Sequence, residues 1–595
     1  MPHLNMYYLD RIEKAAHLKG THPELQDSMH TLLTHQGQFP EASSPICLFF
    51  RKKLEKPGTP HRHLYHCVSC SSAWAAKWRD LNRTWRWKLK FLQPEKEDWK
   101  QMCLESYFHT VLFRRSQAQS SAFDTKDGAV LSVSAKYVRV LSLFTVQDVC
   151  RLASEELRLI LSTLEKEVRT LRLLDAKVLL RHIKSDVLFV LHRLLDHGSV
   201  KKLVLKRTPD LYVFRWIMSR CKGSSWIDEG PAASKRPRLH LLTDETVYNK
   251  FCPSCSANGT CPEGQIHSVD LEVCSLTAVS CLLPSWLDLH SLHLSTTQLV
   301  CEKEVVDLVE SLRKLFLNPH CSLKNLSLGN LCVQGHLASL LISCPTLQTL
   351  SLEISLRWDC STTSSVQFTP NMSLSLEKLT LKAVENQTTV ECLPAVLQHA
   401  PNLRSLHVTG IRHASSLLHT LPGSNPFLKV LMLEDINLAD CHHEIIHLLE
   451  NSILEELSLK DCRLLEKCTE KKDFLVPFVA SAKELSSLRS LSLSQNRLAS
   501  SVIDVADLFL GEHPGNITKL DLSSNFILPA DLLEFSQRID AYHPLHRFTL
   551  DLRFNPLNRD PEVKGQALRM LLPFCEVLTD EWDFRSTMVD HVSVM

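Results

Sequence analysis

The sequence lacks several features that would assign it to a common functional class. Only 16 of its 595 residues are glycine, and neither a G-x-x-x-x-G-K-S/T loop nor a G-x-G-x-x-G turn is present, so the usual phosphate cradles of nucleotide enzymes are missing. No apolar run reaches the roughly 18 residues that a membrane-spanning helix needs. Lysine and arginine (67) balance aspartate and glutamate (66), so the chain lacks the positive field of a nucleic-acid coat protein. These absences argue against a nucleotide enzyme, a membrane protein and a polyanion binder.

A disulfide framework is also missing. The 21 cysteines are odd in number and mostly fall singly in leucine-rich segments, which indicates buried thiols in a reducing compartment. Asp10, Arg11 and Glu13 interrupt the stretch where a secretory signal would be apolar. Cysteine–histidine pairs are too numerous here for any one of them to indicate a nucleophile. We therefore expect a non-catalytic protein of the cytoplasm, the nucleus or both, without a cofactor.

What the sequence does contain is a repeat. The segment Leu488–Leu498 (LRSLSLSQNRL) fits L-x-x-L-x-L-x-x-N-x-L at every fixed position, and Ile517–Ile527 (ITKLDLSSNFI) fits it with isoleucine at both ends. Weaker copies begin 24 to 34 residues apart, close to the period of leucine-rich repeats, at Leu289, Leu323, Leu347, Leu376, Leu403, Leu428 and Leu454. Each core predicts a short strand, and each remainder, such as the segment after Leu438, predicts a helix.

A fainter block with the same spacing begins at Val138, Val168 and Val200. The predicted fold is therefore an α/β leucine-rich-repeat solenoid, or horseshoe, preceded by a small α-helical adaptor region. The predicted boundaries are an adaptor at 1–130 with an irregular insert at about 21–72, repeats at 131–220, a flexible insertion at 221–285, repeats at 286–580 and a tail at 581–595.

The N-terminal region combines tryptophan with positive charge. Residues 51–100 hold 13 Lys/Arg and 5 Asp/Glu, a net charge of +8, and five of the ten tryptophans lie between Trp74 and Trp99. This composition is compatible with binding to single-stranded nucleic acid. Because the tryptophans recur at helical spacing, we favour the alternative that they pack a helical domain, with Trp99, Cys103, Tyr107 and Val111 on the apolar face of one helix. The basic run Ser234–Leu239 (SKRPRL) is either a nuclear-import signal or a solvated loop.

Two cysteine clusters have a spacing that zinc sites use. In one of them, Cys252, Cys255, Cys261 and His267 supply four sulfur and nitrogen ligands, although their spacing fits no standard zinc finger. The other, Cys67 and Cys70, follows three histidines. We favour the reading that both are incidental cysteines, while a zinc-dependent nucleic-acid binder remains a competing hypothesis.

Five segments together resemble the Muf-type elongin BC-box proteins that carry leucine-rich repeats. These segments are NMYYLDRIE from Asn5, ESYFHTVLF from Glu105, INLADCHHEIIHLLEN from Ile436, LLEFSQRID from Leu532 and CEVLTDEWDFRSTMVDHVSVM from Cys575. The resemblance implies a non-catalytic substrate receptor of a ubiquitin ligase, whose partners are elongin B, elongin C, a cullin with its RING protein and an unknown protein substrate marked for degradation. No membrane or nucleic-acid partner is implied.

In that family a BC box stands just before the segment that matches Asn5–Glu13, and here only Met1–Leu4 precede it. The residues that the resemblance offers for elongin binding are Leu4, Tyr7, Tyr8, Leu9 and Ile12. Because the box is short in this sequence, a leucine-rich-repeat interaction scaffold without a ligase is the alternative function.

The outward positions of successive predicted strands are the candidate substrate surface. They mix positive, negative and neutral side chains, which favours a protein or peptide target over a polyanion. The candidates are Arg404, His407, Met432, Glu434, Glu456, Ser458, Arg489, Ser492, Lys519 and Asp521.

Overall fold

The computed structural model describes the chain over residues 99–114, 125–180, 185–208, 214, 217–218, 264–298, 300–331, 337–354, 372–383, 390, 392–411, 414–511, 514–544 and 546–579. The chain divides into two compact units, with the division between Asp270 and Leu271. Within the described ranges, no helix combines the length and the apolar character needed to cross a membrane.

The first unit alternates helices with parallel strands. Strand β1 pairs with β2, and β2 pairs with β3, both in parallel. In chain order the elements are α1 Trp99–Arg114, α2 Thr125–Ala135, β1 Val140–Leu143, α3 Val146–Leu152, α4 Arg158–Glu167, β2 Thr170–Leu173, α5 Ala176–Leu179, α6 Ser185–Asp196 and β3 Lys202–Lys206. The division between the units falls within β4 Ser268–Val273.

The second unit continues the same alternation. Strands β5 to β15 pair in parallel, each with the next in chain order. Its elements are α7 Thr277–Leu282, β5 Ser291–Thr296, α8 Glu302–Leu317, β6 Asn325–Gly329, α9 Leu337–Ser343, β7 Thr349–Ile354, β8 Lys378–Ala383, α10 Leu393–Gln398, β9 Ser405–Thr409, α11 Ser415–Ser424, β10 Val430–Glu434, α12 His442–Glu450, β11 Glu456–Lys460, α13 Lys472–Glu484, β12 Ser490–Ser492, α14 Val502–Val505, β13 Lys519–Asp521, α15 Pro529–Tyr542, β14 Phe548–Asp551, α16 Pro561–Leu571 and β15 Cys575–Leu578.

The repeat spacing predicted from leucine and valine locates these strands. In both units each predicted strand begins two residues after the first apolar position of its copy, as at Val138 and Val140 or at Leu488 and Ser490. Strands β9, β10 and β11 alternate between half-exposed and buried residues, so one face of the sheet packs against the helices and the other is open. The α/β repeat fold is therefore confirmed.

The asparagine of the repeat motif forms a buried ladder along the turns that follow the strands. Asn496, Asn525 and Asn555 are at most 4% exposed. Oδ1 of Asn525 accepts from the backbone N–H of Asn496 at 2.9 Å, and Oδ1 of Asn555 accepts from the N–H of Asn525 at 2.9 Å. Each side-chain amide also donates to carbonyls of the preceding turn, as in Asn555 Nδ2 to Leu522 O at 2.9 Å. Backbone groups that the short strands leave without a partner are thereby paired.

Cys462 occupies the asparagine position of the preceding repeat. Its Sγ donates to the carbonyl of Leu433 at 3.3 Å, and its backbone N–H donates to Oδ1 of Asn496 at 3.0 Å. Burial raises the pKa of the Cys462 thiol far above its ordinary value. The thiol is therefore a structural donor in the ladder.

Helix α1 covers the outer edge of β1 with two polar side chains one helical turn apart. Oε2 of Glu105 accepts from the N–H groups of Arg139 at 2.9 Å and Val140 at 3.3 Å, and Nε2 of His109 accepts from the N–H of Ser142 at 3.1 Å. The rise between helix residues i and i+4 is about 6 Å, and alternate strand residues are about 6.6 Å apart, so the two spacings match. An exposed strand edge is thereby closed against further pairing.

Burial sets the protonation of this pair. It raises the pKa of the Glu105 carboxyl, and it lowers the pKa of His109 to about 4. Because Nε2 of His109 accepts a hydrogen bond, its proton is on Nδ1, which lies 2.8 Å from the carbonyl of Glu105. His109 is therefore a neutral acceptor near neutral pH.

The predicted insertion at 221–285 extends too far, because β4 and α7 lie within it. Ile266, Val269 and Leu271 are buried at the repeat positions of β4, and the use of isoleucine and valine there concealed the copy. Residues 1–98 and 580–595 lie outside the described residues, so the adaptor remains a prediction, although α1 does form where the helix containing Trp99 was expected.

Candidate partner-binding face of the sheet

The open face of β9 to β13 presents three parallel rows of side chains. Strand pairing aligns one candidate from each strand in a middle row, comprising His407, Met432, Ser458, Ser492 and Asp521. All five are half-buried and alternate with the fully buried leucines or valine of their strands. Because adjacent strands lie about 4.8 Å apart, this row spans about 19 Å.

A second row contains only two of the predicted candidates. Glu456 and Lys519 align with each other through Ser490, and the row continues to Val430 and Ser405. Arg404 and Arg489 are exposed, but each lies one residue before its strand. The structure therefore places these two arginines at the rim of the face, and Val430 and Ser490 occupy the positions next to Glu456 in this row.

The third row holds a charged cluster that joins three strands. Glu434 is aligned with Thr409 and Lys460, and Oε1 of Glu434 pairs with Nζ of Lys460. The other carboxylate oxygen lies 3.7 Å from Nε2 of His407, which in turn lies 3.2 Å from Oγ1 of Thr409. His407 and then Lys460 hold the pKa of Glu434 down to about 2. Glu434 is therefore an anion throughout the physiological range, with its charge partly matched by its neighbours.

At the other end of the face, polar side chains are bound to one another. Oγ of Ser492 donates to Oδ2 of Asp521 at 2.9 Å, and the N–H of Ser523 donates to Oδ1 at 3.0 Å. Arg489 Nη1 donates to the carbonyls of Ser486 at 3.0 Å and Asn516 at 3.3 Å. These bonds order the side chains of the face without neutralising its charges, so its hydrogen-bond donors and acceptors are held in fixed positions.

Lys460 and Thr409 were missed by sequence reasoning. The sequence pattern predicts two outward positions per strand, whereas the five-residue strands β9 to β11 present three. The alternation L-x-L-x in the sequence around Lys460 contains that third position.

Most of the other predicted site residues fall outside the part of the chain that the structure describes. The elongin candidates Leu4, Tyr7, Tyr8, Leu9 and Ile12 lie outside the described residues, as do the zinc candidates Cys252, Cys255 and Cys261. His267 is described and half-buried directly before β4. In the part of the chain that the structure describes, no group of three or more His, Cys, Asp or Glu side chains is arranged to hold a metal ion. The zinc hypothesis therefore stays a prediction.

The amino-acid sequence is similar to that of a known leucine-rich-repeat protein. Over 351 residues the chain is 30% identical to leucine-rich repeat-containing protein 41 of Bos taurus and to that of Homo sapiens. The chain is similar to leucine-rich repeat-containing protein 41. The match covers 56% of this chain and 43% of leucine-rich repeat-containing protein 41, so less than half of that protein's length is matched. The resemblance indicated by the five sequence segments is confirmed at this level.

The comparison with solved structures finds a more distant likeness. A chain in the crystal structure of the Rad7 and Elc1 complex in yeast is 13% identical, with a TM-score of 0.35, over 82% of this chain and 94% of that chain. No protein-family model matches the chain.

Proposed function

We propose that the chain is the substrate-recognition subunit of an elongin BC–cullin–RING ubiquitin ligase, and that it binds a protein target through its repeats. The observation that carries this proposal is the similarity to leucine-rich repeat-containing protein 41. The ligase partners named in this proposal are those implied by the resemblance of the five sequence segments to the elongin BC-box proteins. A second observation that supports target binding is the ordered, mixed-charge face around Glu434.

The proposed division of labour follows the chain. The segment containing Leu4 and Ile12 would bind elongin C, and the open face of β9 to β13 would hold the target. The receptor would supply no reacting group; ubiquitin transfer would be performed by an enzyme that the cullin and RING protein recruit. Target selection would then depend on the charges and hydrogen-bond groups of the face.

Co-purification with elongin B and elongin C tests the ligase part directly. The chain as printed and a chain extended before Met1 by a family-like BC box are each co-expressed with tagged elongins. We expect the extended chain to co-purify in a one-to-one complex, and we expect Leu4→Asp with Ile12→Asp to weaken that complex. Lys303→Glu, an exposed change on α8, is the matched control and should leave it intact.

The outcomes separate the two candidate functions. Binding by the extended chain alone supports the family function and shows that the box supplies most of the affinity. Binding by both chains supports it and assigns the contact to the Leu4–Ile12 segment. If neither chain binds, the ligase proposal is wrong and the chain is an interaction scaffold.

A further inference from the structure

The turns that follow β11, β12 and β13 share an unusual pattern of side chains. One residue stands directly after each ladder residue Cys462, Asn496 and Asn525, and in all three turns it is exposed. We call these three residues the edge stripe; they are Arg463, Arg497 and Phe526. The ladder hydrogen bonds fix the backbone on one side of the stripe, so the three positions are held in a regular series.

All three residues of the edge stripe have a left-handed backbone. Their φ angles are 52° at Arg463, 57° at Arg497 and 59° at Phe526. A side chain with a Cβ is disfavoured in this region, and glycine or asparagine would adopt it more easily. The repeat turn requires the conformation, but it does not require arginine or phenylalanine there. Strained positions that carry large side chains are more frequent at binding sites than elsewhere.

The charged and aromatic groups of the edge stripe are exposed to solvent. Within the described ranges neither Arg463 nor Arg497 makes an ion pair, whereas Arg553 in the next turn is paired with Asp551. Phe526 is 61% exposed, and Phe554 in the neighbouring repeat is 48% exposed. Two cations without an anionic partner therefore stand beside two exposed aromatic rings. Aromatic residues and arginine are both enriched at protein-binding surfaces.

The spacing indicates how a partner would bind. Neighbouring repeats are about 4.8 Å apart, so Arg463 and Phe526 are separated by about 10 Å. An extended peptide advances about 3.3 Å per residue, so roughly three residues span the stripe. Carboxylates at one end of such a segment would reach the two guanidinium groups, while an aromatic side chain at the other end would cover Phe526.

We propose that the edge stripe binds an acidic segment of a protein partner, with carboxylates on Arg463 and Arg497 and an aromatic side chain against Phe526 and Phe554. The inference deepens the proposed function, since it names the chemistry of a target segment. The edge stripe lies in the turns that follow the strands, beyond the row that contains Glu434 and Lys460.

Fluorescence anisotropy with the purified full chain and no elongin tests this proposal, so its failure is distinguishable from failure of the ligase function. The probe is a fluorescein-labelled peptide Glu-Asp-Glu-Asp-Trp-Phe at low ionic strength, and the comparison peptide is Gln-Asn-Gln-Asn-Trp-Phe. We expect the acidic peptide to bind at least about tenfold more tightly, and added salt to weaken it.

Variants of the stripe supply the matched controls. Arg463→Glu with Arg497→Glu should weaken binding of the acidic peptide at least about tenfold, and Phe526→Ser about fivefold. Lys166→Glu with Lys303→Glu makes the same change in net charge at exposed helix positions and should leave binding within about twofold. Equal binding of the two peptides, or equal loss in the control variant, would overturn the proposal. Unchanged circular dichroism of each variant shows that folding is not the cause.

Discussion

The asparagine ladder gives a stability prediction whose magnitude follows from its hydrogen bonds. Asn525 is fully buried, and its Oδ1 accepts from the N–H groups of Asn496 at 2.9 Å and Leu498 at 3.3 Å. Its Nδ2 donates to the carbonyls of Leu493 and Ser523. Replacement by alanine removes all four bonds while the turn itself stays buried.

The four losses are unequal. The Leu493 carbonyl keeps the amide of Asn496 at 3.0 Å, and the Ser523 carbonyl keeps the N–H of Gln495 at 3.0 Å. The N–H groups of Asn496 and Leu498 instead lose the acceptor that the ladder gives them. A buried donor without a partner costs about 1–3 kcal/mol, and the longer bond contributes less, so we expect Asn525→Ala to cost about 3 kcal/mol.

Amide hydrogen exchange read by mass spectrometry measures this locally. A cost of about 3 kcal/mol corresponds to roughly a hundredfold loss of protection in peptides that cover Asn496 to Leu498. Asn451→Ala is the control, because Asn451 is exposed and makes a single side-chain bond to the carbonyl of His447. Protection that changes by less than about threefold, or that falls equally in β1 to β3, would refute the assignment of the ladder as the main local support.

Three further outcomes are expected. Glu434→Gln should lower the free energy of unfolding by about 1 kcal/mol above pH 5; the loss is small because the contact with Lys460 is partly solvated. This loss should vanish as the pH falls from 4.5 towards the depressed pKa of Glu434 of about 2. Urea titrations at several pH values measure it. Because the buried His109 has its pKa lowered to about 4, the unfolded chain binds this proton before the folded chain does as the pH falls. The His109 contribution should lower the stability of the first unit by up to about 3 kcal/mol between pH 6.5 and 4, partly offset by Glu105, whose pKa is raised by burial. His109→Phe should remove the His109 contribution and expose the Ser142 amide to hydrogen exchange. Alkylation with iodoacetamide, followed by mass spectrometry, should label the exposed thiols well before the buried ones, the exposed set being Cys274, Cys281 and Cys301 and the buried set Cys344, Cys441, Cys462 and Cys575.

The strands were predictable because one physical requirement fixes them. A short parallel strand in this fold must bury alternate residues, and leucine at those positions marks its start to within the observed two residues, as at Leu428 and Val430. The repeat copy that begins at Ile266 was not predicted, because β-branched residues fill its buried positions in place of leucine. Burial, and not leucine itself, is the requirement.

The edge closure of β1 was not predictable from the same pattern. Helical spacing drew attention to Trp99 and Val111 as an apolar face, but Glu105 and His109 make the hydrogen bonds that close the strand edge. Their role depends on which helix lies beside which strand, and that information is in the tertiary packing. The charged cluster at Glu434 was half-predicted for a similar reason, since the pairing with Lys460 needs the register of two strands.

Stability and recognition are separable within a single repeat turn. The side-chain amide of Asn525 points inward and pairs with buried backbone groups, while the next residue, Phe526, is exposed and its side chain makes none of the ladder hydrogen bonds. Because the ladder already determines the left-handed turn, a change at Phe526 alters the surface without removing a buried hydrogen bond. Arg463 and Arg497 have the same relation to Cys462 and Asn496. A repeat of this kind can therefore change its partner by substitution at the stripe while its fold, set one residue earlier, is kept.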